Sequence, residues 1–227
     1  LDSYCIFFDC VKAFDEISRE CIWQSMEVMG VDSKMIRAVQ ATLKDTTCKM
    51  NIGGVAKVVN MKEGTGQGTT LGPTLCNFFF LPILLQFERD MAGSRTTATT
   101  SSDGEGKSGN EIGTFTHNFA DDTCILAGTL EDACKVAKGY NLYLRKFRSR
   151  VHVATKEVPK SKSVAVYVPA KTGTKCKQDK IFVNDDESQW IDFVETSAYL
   201  GSYVHTDLSD EEEMRTRISK ALRMFGC

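Results

Sequence analysis

The chain carries little net charge, −2 over 227 residues, so no global basic field marks it as a polyanion binder. It lacks any apolar run of the roughly 20 residues that a membrane-spanning helix needs. The most hydrophobic stretch, Phe78-Phe79-Phe80-Leu81-Pro82-Ile83-Leu84-Leu85, is far too short, and no membrane is expected among the partners. No signal peptide and no internal repeat are visible. Only three histidines occur, and His117, His152 and His205 fall in no motif. Nine cysteines are present, but none are spaced Cys-x-x-Cys and no His/Cys cluster reads as a zinc site. Cys5, Cys10, Cys21 and Cys134 fall on apolar faces. They read as small core residues in a reducing, intracellular setting, nucleus or cytoplasm. The chain also lacks an initiator Met and ends just past a helix, as a piece of a longer polypeptide would.

What is there suffices for a core, with 42% of residues hydrophobic. Charge is unevenly spread. Arg145 to Lys180 is basic and a candidate polyanion contact, while Asp185–Glu187 and Asp207–Glu213 are acidic, solvated faces. Residues 3–9 read as a buried strand, apolar throughout and closed by Asp9. A helix should follow Ser18 as N-cap and stop at Gly30; a second should begin after Ser33. Thr47–Ile52 and Val55–Met61 read as a hairpin turning at Gly53-Gly54. A mostly buried helix opens near Pro73, and Pro82 inside it predicts a kink. Residues 92–113 are small and polar and read as a flexible surface loop. Thr129 opens a long helix whose inner side runs from Leu130 to Phe147. Short strands follow at Ser163–Val168, Ile181–Val183, Trp190–Val194 and Tyr199–Val204. A last amphipathic helix begins at Ser209 with Met214, Ile218 and Leu222 inward. Strands and helices alternate with hairpins among them, which favours an α+β fold, a sheet with helices on one face.

Three aspartates stand out. Asp9 ends the first apolar strand. Asp121 and Asp122 sit between two further apolar segments, which suits a tight hairpin with carboxylates at its tip. Carboxylates gathered at buried strand ends are costly unless something positive joins them. A divalent metal is the natural relief and phosphoryl transfer the natural use.

These residues resemble a known family. Asp9-Cys10-Val11-Lys12-Ala13-Phe14-Asp15 resembles the first palm motif of reverse transcriptases of non-LTR (LINE-like) retrotransposons. Gly64-Thr65-Gly66-Gln67-Gly68, then Leu71, Pro73, Leu75 and Asn77, resembles the second. Phe119-Ala120-Asp121-Asp122 is similar to the third, which usually has Tyr before Ala. Lys162-Ser163 looks like the fourth and Tyr199-Leu200-Gly201-Ser202 like the fifth. Gly66 stands where the family often has a basic residue, Gly72 where it often has Ser, and 150–162 lacks the usual Gly-Leu and Asn-Pro landmarks.

The resemblance implies an RNA-directed DNA polymerase working on an RNA template, a DNA primer and dNTPs. Its fold would be a polymerase palm, an antiparallel sheet with helices packed on one face. Residues 1–168 would be palm with part of the fingers at about 31–65, and 169–227 the end of the palm and start of the thumb. The N-terminal fingers and most of the thumb would be absent. Asp9, Asp121 and Asp122 would hold two Mg²⁺ (or Mn²⁺). Cys10, Phe14, Gln67 and Gly68 would meet the nucleotide, with the Phe14 ring leaving no room for a 2′-hydroxyl. Lys162 would lie near the triphosphate as a general acid. Tyr199, Leu200 and Gly201 would grip the primer end. A non-catalytic, decayed or repurposed palm is the alternative. An RNA-dependent RNA polymerase would carry Asp at Phe14 and Gly at Ala120. Group II intron and telomerase-type enzymes share the palm, but the Tyr199-Leu200-Gly201-Ser202 string favours the non-LTR branch.

Overall fold

A computed structural model describes residues 2–66, 68–91, 98–99, 111–112, 116–171 and 173–224. Strand β1 (Ser3–Asp9) leads through a helical turn, α1 (Ala13–Glu16), into α2 (Arg19–Val28) and α3 (Ser33–Leu43). The hairpin β2 (Thr47–Ile52) and β3 (Val55–Asn60) precedes α4 (Gly72–Met91). Two-residue strands β4 (Ala98–Thr99) and β5 (Glu111–Ile112) pair with each other. The rest of the 92–113 stretch lies outside the described residues. Then come β6 (Thr116–Phe119), β7 (Asp122–Ala127), α5 (Leu130–Lys146), β8 (Val164–Val168), β9 (Lys180–Phe182) and β10 (Trp190–Phe193). The hairpin β11 (Thr196–Tyr199) and β12 (Ser202–His205) and helix α6 (Glu211–Met224) complete the order.

Six strands form one sheet in the order β6-β7-β1-β8-β10-β9. All its pairs are antiparallel except β8 with β10, so the expected antiparallel sheet contains one parallel pair. Central β1 is covered on both faces, which is why it reads as a continuous apolar run. Tyr4, Ile6 and Phe8 face the helices, in the main core with Phe80 and Ile83 of α4 and Tyr140 and Leu144 of α5. Each such side chain contributes about 1.5–3 kcal/mol when fully buried. Cys5 and Phe7 face the other way, into a smaller cluster with Cys124 and Val166, covered by Val194, Tyr199 and Val204. The sheet's second face is therefore roofed by the β11–β12 hairpin only in part.

Local signals account for most boundaries. Ser18 Oγ accepts from Cys21 N to cap α2, and Gly30 follows it at φ +78°. Asp32, rather than Ser33, caps α3, its carboxylate accepting from Lys34 N at 2.8 Å. Thr129 Oγ1 accepts from Asp132 N at 3.0 Å at the head of α5. Helix α4 runs on through Pro82 as one element. Two expectations need correction. Tyr199–Val204 is not one strand: Leu200 and Gly201 take φ of 48° and 84° and turn the chain back on itself. Met214, Ile218 and Leu222 of α6 do not face inward, being 58%, 59% and 49% exposed. Among the described residues, no helix is long and apolar enough to cross a membrane.

Candidate active site

Asp9 and Asp122 are register partners across β1 and β7. Side chains alternate along a strand and directly opposed residues share a face, so both lie on the face of Cys5, Phe7 and Cys124. Phe119 pairs with Asp122, leaving Ala120 and Asp121 as a two-residue turn. Ala120 takes φ +55°, which is strained for a residue with a Cβ. The strain is held from two sides. Ala120 N donates to Asn77 Oδ1 of α4 at 3.0 Å, and its carbonyl accepts from Asn118 Nδ2 at 3.3 Å. Asp9 and Asp122 thus stand opposite each other at neighbouring strand ends, with Asp121 in the adjoining turn.

The Asp9 backbone is fixed by Ser163, whose Oγ accepts from Asp9 N at 3.0 Å, and by His152, whose N donates to the Asp9 carbonyl at 2.8 Å. Asp9 Oδ2 is shut off from solvent and has no hydrogen-bond partner. The nearest basic side-chain atoms are His152 Nε2 at 3.5 Å and Lys162 Nζ at 3.8 Å, both beyond good hydrogen-bonding range. Burial, then the Asp9 charge, pushes the Asp121 carboxyl above the usual range; its own backbone hydrogen bond and Lys162 pull it down. Burial, then Asp121 and Asp9, raises Asp122. The three carboxylates therefore sense one another's charge.

Among the described residues, no three His, Cys, Asp or Glu side chains close into a ready-made metal cage. Magnesium does not require one. It commonly takes one or two carboxylates and completes its shell with water and substrate phosphate. An orphaned, buried carboxylate oxygen with two more acidic groups nearby is a hard, anionic donor set of the kind a divalent cation takes.

The other expected residues are placed as follows. Phe14 is half-buried beside the glycine loop, its Cε1 3.5 Å from where a Cβ on Gly72 would stand. The loop is tied to it, Thr65 N donating to Phe14 O and Gly64 N to Ile17 O, each at 2.8 Å. Gly68 is exposed at φ +76° with open space beside it. Gln67 lies outside the described residues. The Cys10 thiol is buried and pushed up in pKa, first by burial and then by the Asp121 charge, so only its backbone is available to a nucleotide. Tyr199 packs on Phe7 with ring centroids 5.3 Å apart, and Leu200-Gly201 form the hairpin tip above the carboxylates' face.

Three neighbours were not legible as site residues. His152 meets Asp9 although it belongs to no motif. His117 Nδ1 lies 3.0 Å from the Tyr199 hydroxyl. Arg19 donates to Gly64 O at 2.7 Å and Leu43 O at 2.8 Å, pinning the glycine loop to the end of α3.

Solved structures with the same arrangement of elements include apo telomerase from Candida tropicalis truncated from its C-terminal domain. The identity is 14%, the TM-score 0.55, and the match covers 92% of this chain and 35% of that one. Telomerase from Candida albicans in complex with a TWJ fragment of telomeric RNA matches at 13% identity and TM-score 0.54, over 91% of this chain and 30% of that one. The chain thus spans about a third of the length of the telomerase chains it matches, and at such identity the likeness concerns the fold. Comparison with curated protein sequences gave no match. The family of reverse transcriptases (RNA-dependent DNA polymerases) matches residues 1–203, which take in the carboxylate strands, the glycine loop and the Tyr199 turn alike. The chain belongs to the reverse transcriptase family.

Proposed function

We propose that this chain carries the palm of an RNA-directed DNA polymerase, extending a primer 3′-hydroxyl with dNTPs on an RNA template. The observation that carries the reading is the in-register pairing of Asp9 with Asp122 beside the Asp121 turn, on the open part of a sheet face. Bound at Asp9, Asp121 and Asp122, two divalent ions would supply activation of the primer hydroxyl and neutralisation of the leaving pyrophosphate. The chain's own groups do the rest. Phe14 closes the space a 2′-hydroxyl would need. The Gly64–Gly68 loop, with Gln67, backs the incoming nucleotide against the template. Lys162 Nζ, 3.8 Å from Asp9 Oδ2, gives a proton to the departing phosphate oxygen. Tyr199, Leu200 and Gly201 bound the primer end.

The order and spacing of the five motif strings support an origin in a non-LTR retrotransposon, acting inside the cell where its RNA template lies. Residues 1–168 would then be palm with part of the fingers, and 169–227 the end of the palm and the start of the thumb. A second reading, a nucleic-acid-binding palm without chemistry, draws on the two basic groups already beside Asp9 and on the lack of a ready-made cage among the described residues. Primer extension on an RNA template with Mg²⁺ and dNTPs decides between them. The chain alone should extend weakly, a longer one with fingers and thumb robustly, and Asp9→Asn or Asp121→Asn should abolish extension in both. Calorimetry gives an independent answer: unchanged Mg²⁺ binding in both variants would favour the scaffold.

A further inference from the structure

The β11–β12 hairpin rests on the sheet through apolar contacts, Val194, Tyr199 and Val204 against Cys5, Phe7, Cys124 and Val166. Such packing is non-directional and leaves the height of the hairpin loosely set. At the open end Val194 N donates to Ala165 O and Thr206 Oγ1 to Tyr167 O, both of β8; at the tip end the Tyr199 hydroxyl supplies the direction. The Tyr199 hydroxyl sits 3.0 Å from His117 Nδ1, 3.2 Å from the His117 carbonyl and 3.4 Å from the Asp122 carbonyl. A phenol has a single proton to give. That proton goes to a carbonyl or to Nδ1 according to the His117 tautomer, and with either tautomer one hydrogen bond joins the phenol to the imidazole. The two rings cross edge to face at 79°, centroids 5.9 Å apart, which holds the imidazole in the plane the bond requires.

The arrangement joins three strands at one oxygen. His117 lies on β6 and Asp122 opens β7, so the hydroxyl bridges both arms of the hairpin whose turn is Ala120-Asp121. Tyr199 is also the last residue of β11, directly before the Leu200-Gly201 tip. Resting on the polymerase reading above, we propose that His117 is a positioning residue. Through the Tyr199 hydroxyl it sets the distance between the primer-facing tip and the carboxylate turn, and so where the primer terminus stops.

The test compares Tyr199→Phe, His117→Ala, His117→Gln and the double variant Tyr199→Phe/His117→Ala in the full chain. The probe is an RNA template paired with a DNA primer whose 3′-terminal base is 2-aminopurine. It is bound at saturation without dNTP, so weak turnover does not obscure the result. Losing the bond should shift the equilibrium between held and free terminal base about fivefold, as read from the fluorescence change, the ratio one neutral hydrogen bond carries. Duplex affinity by anisotropy should stay within about twofold. The double variant should be no worse than either single one, since both remove the same contact. His117→Gln keeps an N–H donor and should recover most of the signal. A purely structural role would lower the unfolding midpoint and leave the terminal-base signal at its wild-type value, which overturns the proposal, as would additive effects in the double variant. If the wild-type chain itself fails to bind the duplex, the polymerase reading is what fails, and the role of His117 falls with it.

Discussion

Gly64→Ala isolates one close approach in the site. Gly64 has φ +76°, and a Cβ there would stand 2.5 Å from Phe14 O and 2.7 Å from Asp15 O. Both are backbone atoms, so no side chain can swing aside. The left-handed conformation alone costs a residue with a Cβ about 1–2 kcal/mol, and forcing a methyl into a packed position typically adds about 1–3 kcal/mol. The sum is about 2–5 kcal/mol. Gly68 is the built-in control: its φ is also +76°, yet nothing lies within 4 Å of its Cβ position. Only the conformational part applies there. In a domain of this size each kcal/mol moves the melting midpoint by roughly 2–4 °C. Calorimetry should therefore show a fall of about 4–20 °C for Gly64→Ala and a smaller one of about 2–8 °C for Gly68→Ala. Because the clash pushes on Phe14, Gly64→Ala should also weaken dNTP-over-rNTP discrimination in an active, longer chain. Equal midpoint shifts in the two variants would refute the argument from close approach.

Asn77→Ala should destabilise by about 1–3 kcal/mol, because it strands the Ala120 amide in a strained turn; urea unfolding measures it, and primer extension should fall in parallel. In metal-free buffer, Asp121→Asn should raise the melting midpoint at neutral pH. The folded pKa of Asp121 lies above its unfolded value. Its stabilising contribution is complete below the unfolded pKa of about 4 and is lost as pH rises through the folded value. The advantage of Asp121→Asn should thus vanish in acid, and a pH series of melts with and without EDTA checks it. Phe14→Ala should admit ribonucleotides in the longer chain; no gain would damage the steric argument.

The placement of Asp9, Asp121 and Asp122 at strand ends was legible because the signals are local. An apolar run ending in Asp9 and a double Asp between apolar segments each announce a strand end, and the hairpin between β6 and β7 follows from their short separation. Capping residues Ser18 and Thr129 announced their helices for the same reason. The Tyr199 turn was obscured because Leu seldom adopts positive φ, so propensity favoured an unbroken strand. The stripe on α6 was legible as amphipathic, but periodicity does not say what a face packs against. His152 and His117 gain their meaning from residues far away in sequence, Asp9 and Tyr199, which no window reaches.

Strand β1 is wedged between β7 and β8, and its terminal amide waits for Ser163, 154 positions later. A ribosome adds about 5–20 residues per second, so for many seconds a growing chain holds Asp9 with neither flanking strand in place. Long-range closures of this kind are slow and come late in folding. The β1–β7 register that sets Asp9 opposite Asp122 waits for residues 122–127, and the last tie on the Asp9 amide waits for Ser163.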